Sequence, residues 1–459
     1  MSQSTEDDVL LERALKAARD TRFLAVEAGA RHRTAEVFAR LFDAVASPRI
    51  VADEPSFAAA GRDVLEGFRR LGVACAEPII LGEHAYAESQ YVEELQAALA
   101  DAPGIPIAIG SGTINDLTKL AAHRLGHRYL VLATAASMDG YTAYGASITH
   151  QGSKQTFDCP APLGVLADLE VIARAPVGMN ASGYADLLAK EVAGADWIVA
   201  EAVGEEPIDP AVWETVQGRL KVWVGSPSGI AANDPGCLHS LVNGLMMSGF
   251  AMQAAQTSRP ASGAEHQFSH LWDMQHHSFE GAAPSHGFKV GIGTLASVAL
   301  YNELLRQDLS RLDVERVVQN WPTPKQTEQR INTLFGPGEL ADKAQEETKA
   351  KDISPDALRV QLSRLRDGWP ALRSRLESHL TPFPQVRDAL RDAGCPYEPE
   401  QIGISRSRLR LSYDQAYYIR RRYTGLDLAR RAGLFDAAIE NLFSPSGLWA
   451  TADTESAQS

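Results

Sequence analysis

Between residues 48 and 137, short apolar runs alternate with segments of helical period, and no other feature limits the possible folds as much. PRIVADE (48–54), EPIILGEH (77–84), IPIAIGSG (105–112) and RYLVLATAAS (128–137) read as strands. FAAAGRDVLEGFRRLG (57–72), YVEELQAALADA (91–102) and TINDLTKLAAHRLG (113–126) read as helices between them. Stacked strand–helix–strand units build a parallel sheet buried on both faces. Ligands of such sheets bind beyond the carboxyl ends of the strands, so the loops GSGTIND and TAASMDG fall at one mouth.

The flanking sequence sets the organisation. Residues 1–45, rich in Ala, Leu, Arg and Glu, read as a helical appendage to an α/β domain at 46–178. The stretch 147–169 reads as a short hairpin and loop, residues 179–450 as a helical domain, and the polar tail 451–459 as disordered. The 459 residues carry a net charge of −14, which disfavours nucleic acid as a partner. Arg406–Arg422, with interleaved tyrosines, reads as a solvated helix face or an oligomer contact rather than an RNA platform. With no apolar stretch of about 18 residues, no secretory-type start and four scattered cysteines, the expected setting is a reducing cytoplasm without a membrane span.

Candidate site residues fall into two groups. Gly110, Ser111 and Gly112 end a strand just before a helix, a turn that lets backbone N–H groups approach a phosphate. The spacing is GxGxxxD rather than GxGxxG, so a simple tight turn is the competing reading. Thr113 and Asn115 add donors. Asp53 and Glu54 end an earlier strand, where a carboxylate accepts from ribose hydroxyls and favours NAD; an Asp capping the next helix explains the position equally well. Thr134 and Ser137 suit nicotinamide or phosphate groups, and Asp139 a substrate hydroxyl, although these are also ordinary turn residues.

The second group is Asp186 in SGYADLLAK, His266 in SGAEHQFSH and His286 in PSHGFKVGIGT. One carboxylate and two imidazoles form a mixed donor set for a divalent cation with open positions. His266 and His270 are spaced i, i+4 on one helical face, and His286 precedes a glycine at a helix start. From position alone, an exposed ion pair of Asp186 with Lys190 is the simpler reading of that carboxylate.

Five blocks in this order, GSGTINDLTK, TAASMDGYTAYGA, SGYADLLAK, RPASGAEHQFSH and SHGFKVGIGT, resemble the sn-glycerol-1-phosphate dehydrogenases. That family is similar to glycerol dehydrogenases, iron-containing alcohol dehydrogenases and dehydroquinate synthases. The likeness covers residues 45–310, and AYYIRRRYTGLDLA resembles bacterial members. It implies an N-terminal Rossmann-like α/β domain for NAD or NADP, then a helical domain of the dehydroquinate synthase-like type. The helical domain would hold one divalent metal, zinc foremost with nickel or iron as alternatives, and catalysis would occur in the cleft.

By motif match the resemblance implies Asp186, His266 and His286 as metal ligands, and Asp139, Asp186 and His270 as substrate contacts. Gly110, Ser111, Gly112, Thr113 and Ile114, with Thr134 to Ser137, would contact the dinucleotide. Ser111 stands where a glycine is frequent, and Ala143 where many relatives have a cofactor-contacting serine. Arg259, Ser262 and Lys289 are placed to receive a substrate phosphate, although Arg259 equally suits a helix cap and Lys289 an ion pair. The implied reaction is hydride transfer between NAD(P)H and dihydroxyacetone phosphate, giving sn-glycerol 1-phosphate, in a homodimer or larger homo-oligomer. The competing readings are a polyol dehydrogenase, a lyase using NAD transiently, and a non-catalytic nucleotide-binding relative.

Overall fold

The computed structural model describes residues 6–43, 46–82, 85–102, 104–150 and 153–450. The tail 451–459 and residues 83–84 of the EPIILGEH run lie outside the described residues. Among the described residues eight strands form: β1 (Phe23–Glu27), β2 (Pro48–Asp53), β3 (Ala76–Leu81), β4 (Ile105–Gly110), β5 (Leu130–Ala133), β6 (Ala146–His150), β7 (Ser153–Phe157) and β8 (Gly164–Asp168). Six make a wholly parallel sheet in the order β1-β8-β5-β4-β2-β3, while β6 and β7 pair as an antiparallel hairpin. The helices that position the site are α1 (Gly112–Arg124), α2 (Val177–Leu188), α3 (Lys190–Val203), α4 (Pro235–Ala255), α5 (Ala264–Met274) and α6 (His286–Leu305).

The expected strand–helix alternation is present, with two strands that the sequence reading missed. Residues 1–45 are not all helical: a helix at Glu6–Ala17 is followed by β1, which lies at the sheet edge in register with β8. FLAVE is only half-buried apart from Ala25, and its partner lies far along the chain, so no local period reveals it. GVLAD, read as loop, is the fully buried β8 between β1 and β5. The helical pattern from Ala181 to Ala202 forms two helices, α2 and α3, broken at Ala189.

Two compact units result, and they are not consecutive stretches of chain. One comprises residues 1–188, 210–261 and 392–395, the other 189–209, 262–391 and 396–459. A linear cut at 178/179 does not coincide with this division. The reason is visible at Gln253 of α4, whose Oε1 accepts from the Asp20 N–H (2.8 Å) and whose Nε2 donates to the Thr142 carbonyl (2.9 Å). Within the first unit Ile50, Ala52, Ile107, Ile109, Leu130 and Leu132 of the strands pack on Phe38, Val64 and Phe68.

The second unit is helical and centres on a buried carboxylate. Asp196 of α3 accepts from the Ala264 N–H (2.6 Å), the Gly425 N–H (2.8 Å) and the Tyr301 hydroxyl (2.5 Å). The basic stretch 406–422 has two faces: Arg410 and Arg421 are exposed, as a solvated helix face requires, and the tyrosines turn inward. Tyr413, Tyr417 and Tyr418 are buried. Arg406 pairs with Glu398 and Glu400, Arg410 with Glu440, and Arg421 with Glu346 and Glu347. Among the described residues no helix is long and apolar enough to cross a membrane.

Asp168 closes β8 and fixes the chain at β1. Its carboxylate accepts from the N–H groups of Gly29, Glu170 and Arg31 and from the Arg31 guanidinium at 2.8 Å. Burial by itself would raise its pKa, but these bonds and the Arg31 charge outweigh it and hold the carboxyl below its ordinary value. The stability it contributes is therefore full above the ordinary aspartate range near 4 and is lost as pH falls through the depressed native value. In urea titrations across that range, Asp168→Asn is expected to be less stable than the parent at neutral pH and to show a flatter acid limb. Parallel acid limbs would remove this role.

Candidate metal centre and dinucleotide turn

The first unit presents its strand ends as expected. β4 ends at Gly110, where the Gly110 carbonyl accepts from the Thr134 N–H (3.1 Å) and so ties the glycine turn to the loop after β5. Ser111 has φ −83° and ψ −171°, an extended geometry open to any residue, so its replacement of a glycine is harmless. No side chain caps α1. A Cβ at Gly110 would lie 2.6 Å from Ile114 Cβ, and one at Gly112 would lie 2.5 Å from Met138 Cε, so the turn is tight on both sides. The chain runs from β2 to β3 in one direction across the sheet and from β4 to β5 in the other. Asp53 and Gly110 thus end the adjacent strands at the switch point, where doubly wound sheets take nucleotides.

Asp53 caps a helix, as its alternative reading held: Oδ1 accepts from the Ser56 N–H (2.8 Å) and its own N–H donates to Ser56 Oγ. Asn115, expected to donate toward a ligand, is buried and turned inward, donating to Asp116 and to the Gly140 carbonyl and accepting from Tyr129. Lys119, which sequence reasoning passed over, shapes the next loop. Its buried ammonium donates to the carbonyls of Gly140 (3.0 Å), Ala143 (3.0 Å) and Gly145 (2.9 Å). A lysine one turn beyond Asn115 on a helix expected to be buried was the available signal. Ala143 packs with Met252 and Ala261.

Helix α2 lies directly on the loop 136–139. Asn180 Oδ1 accepts from the Ala136 N–H (3.2 Å), Ser182 Oγ donates to the Ser137 carbonyl (3.3 Å), and Asp186 Oδ2 accepts from the Asp139 N–H (3.1 Å). Asn180, Gly183 and Asp186, three apart, form one stripe of the helix. At its middle a Cβ on residue 183 would lie 1.8 Å from the Ala136 carbonyl oxygen, so only glycine fits. Asp139 is held further by Ser248 Oγ, which donates to its Oδ2 (2.8 Å). Asp186 and Lys190 are both wholly buried, which excludes the exposed ion pair.

In the second unit α5 carries His266 and His270, their ring centroids 6.2 Å apart, and His286 opens α6, its ring 5.3 Å from His266 and 6.5 Å from His270. Ser285 caps α6 by accepting from the Phe288 N–H (3.3 Å). The two helices meet closely at Gly293, where a Cβ would lie 2.3 Å from the Glu265 carbonyl oxygen. One donor atom each from Asp186, His266 and His286 lie within 4.8 Å of one another. Opposite ligands of an ion with bonds of about 2.0–2.1 Å span roughly 4 Å, so this O/N/N set fits one divalent cation after small side-chain adjustments. Glu265, also missed from sequence, is fully buried, and its Oε1 faces His266 Nδ1 at 2.8 Å. Burial raises its carboxyl pKa.

The residues offered for a substrate phosphate are divided. Lys289 is buried and paired with Asp273, as its alternative reading held. Arg259 is also buried, in a short helical turn after α4. Ser262 accepts from Arg420 Nη1 (2.9 Å).

The family model described as iron-containing alcohol dehydrogenase matches residues 25–176. A solved structure of a probable glycerol dehydrogenase from Sinorhizobium meliloti superimposes with a TM-score of 0.59 at 14% identity, covering 91% of this chain and 96% of that one. The chain is 35% identical over 269 residues to a glycerol-1-phosphate dehydrogenase (NAD(P)+) of Halalkalibacterium halodurans, covering 58% of this chain and 67% of the relative. It is 30% identical over 394 residues to the protein of that name from Geobacillus stearothermophilus, covering 84% and 88%. The chain belongs to the glycerol-1-phosphate dehydrogenase family of oxidoreductases.

The Gly183 contact yields a test with a definite sign. On helix propensity alone Gly183→Ala would stabilise by about 1 kcal/mol. Because the obstacle is a backbone carbonyl, we expect a net loss of about 1–3 kcal/mol instead, together with weaker metal binding as Asp186 is displaced. Denaturant titration and metal stoichiometry check both, and a stabilised variant with full metal content would refute the contact.

Proposed function

We propose that this chain interconverts dihydroxyacetone phosphate and sn-glycerol 1-phosphate by hydride transfer with NAD(P)H, at a divalent cation held by Asp186, His266 and His286. The observation that carries the reading is the convergence of those three donors within 4.8 Å in a member of this family. When bound, the cation polarises a ketone oxygen and the reduced nicotinamide supplies the hydride.

The protein's own groups then have separable tasks. The Asp139 N–H fixes the Asp186 carboxylate, while Ser248 holds the Asp139 side chain available to a substrate hydroxyl. His270, one turn from His266 and half-buried, is placed to hold or move a proton at the substrate oxygen. Backbone N–H groups of Gly112, Thr113 and Ile114 at the uncapped start of α1 receive the pyrophosphate. Gly110, Ser111, Thr134 and Ser137 line its approach, and Asp53 at the switch point, whose Oδ1 caps the following helix, offers Oδ2 to a ribose hydroxyl. For the substrate phosphate, Ser262 remains with Arg420 on its hydroxyl.

The finer assignments are zinc as the resident ion, from the mixed oxygen and nitrogen donors, a homo-oligomeric state, and a reducing cytoplasm, consistent with four unpaired cysteines. The protein stripped of metal and reconstituted with zinc should oxidise NADH with dihydroxyacetone phosphate and yield the sn-1 rather than the sn-3 phosphate. A strong preference for unphosphorylated dihydroxyacetone would defeat this choice of substrate. Release of inorganic phosphate without net NADH change would point to a lyase.

Two further outcomes concern the donors. Asp186→Ala should lose the metal and at least about 100-fold in kcat, the scale of an electrostatic stabiliser of the developing alkoxide; full turnover would remove the proposed role. Because imidazoles coordinate only when neutral, zinc affinity should fall as pH is lowered and protons compete for His266 and His286. A pH-independent affinity in chelator competition would show that these histidines do not bind the ion.

A further inference from the structure

We infer that Glu265 is the positioning residue of the metal centre: its carboxylate holds the His266 ring so that Nε2, not Nδ1, is the donor to the cation. This rests on the metal reading given above. Glu265 Oε1 accepts from the Gly263 N–H (2.6 Å) and faces His266 Nδ1 (2.8 Å), with both side chains buried. With the carboxylate as acceptor in this bond, the proton sits on Nδ1 and the Nε2 lone pair is left for the ion. Metal-binding histidines characteristically donate their second ring N–H to a carboxylate or carbonyl, which fixes the tautomer and raises ligand basicity.

Two other features favour this role over a merely structural one. Glu265 Oε2 is buried without a hydrogen-bond partner, and the Lys190 and Arg422 charges, with any cation beside His266, offset the cost of that arrangement. The backbone of the same residue is where α6 comes closest to α5, against Gly293. Glu265 therefore orients the His266 ring at a point where α5 packs closely on the helix that begins with His286.

The test uses the full-length protein stripped of metal, with zinc affinity read by competition against a chromophoric chelator. Glu265→Gln keeps an acceptor in place but removes the charge. It should weaken zinc binding about 10–100-fold while the metal-free protein keeps its parental unfolding temperature. Parental affinity in Glu265→Gln, or a drop in metal-free unfolding temperature with affinity intact, would overturn the inference. His286→Ala separates this from the underlying reading: if it binds zinc as tightly as the parent, the site itself is wrong. If it loses zinc while Glu265→Gln does not, only the positioning role fails. Should Glu265→Gln not fold, nitrogen NMR of isotope-labelled histidine in the zinc-loaded parent decides. A protonated Nδ1 and metal-bound Nε2 on His266 support the assignment, and a metal-bound Nδ1 refutes it.

Discussion

The site depends on one close approach of backbone to backbone. At Gly183 the helix α2 lies against the carbonyl of Ala136 with no room for a methyl group, and one turn later Asp186 meets the N–H of Asp139. The same stripe of the helix carries Asn180 to the N–H of Ala136. A loop leaving a parallel sheet would otherwise have to satisfy these polar groups with water. Here the helix satisfies them, and in doing so fixes the height and rotation of the Asp186 carboxylate.

A second constraint acts from the other side of the loop. Lys119 buries its charge against the carbonyls of Gly140, Ala143 and Gly145, and Gly249 of α4 lets that helix close on the loop, since a Cβ there would lie 2.8 Å from the Asp139 carbonyl oxygen. The TAASMDGYTAYGA block is thus held by α1, α2 and α4 together. Its residues serve the packing of the loop as much as any ligand, which is why the block is long and why its individual members look like ordinary turn residues when read singly. In the helical unit the corresponding fixed points are carboxylates: Asp196 gathers three elements, and Glu265 braces His266.

Much of this was legible in the residues. The alternation from β2 to β5 follows from local periodicity, and the helix starts at Gly112 and His286 from the residues that precede them. Asp186, His266 and His286, the proposed donors, form a chemically sensible set already in the sequence. What failed was whatever depended on a distant partner. FLAVE and GVLAD become strands because they pair with each other across most of the α/β segment, and neither run is long enough to announce itself. The buried tyrosine face of the basic stretch was hidden by its arginines, whose countercharges, Glu398, Glu440 and Glu347 among them, lie on other segments of the chain. Glu265 went unnoticed because adjacent residues on a regular helix do not face each other; only the first turn of α5 brings its carboxylate to the neighbouring imidazole.

The sequence by itself determined the fold class, the glycine turn at the end of β4 and the kinds of donor atom available, because these follow from short-range periodicity, from the steric freedom of glycine and from side-chain chemistry. The tertiary structure alone decided that Asp186 is buried rather than half of a surface ion pair with Lys190, and that Lys289 is taken by Asp273. Each of those outcomes is a competition for one polar group between near and far partners. The winner is set by which groups the packed helices exclude from water.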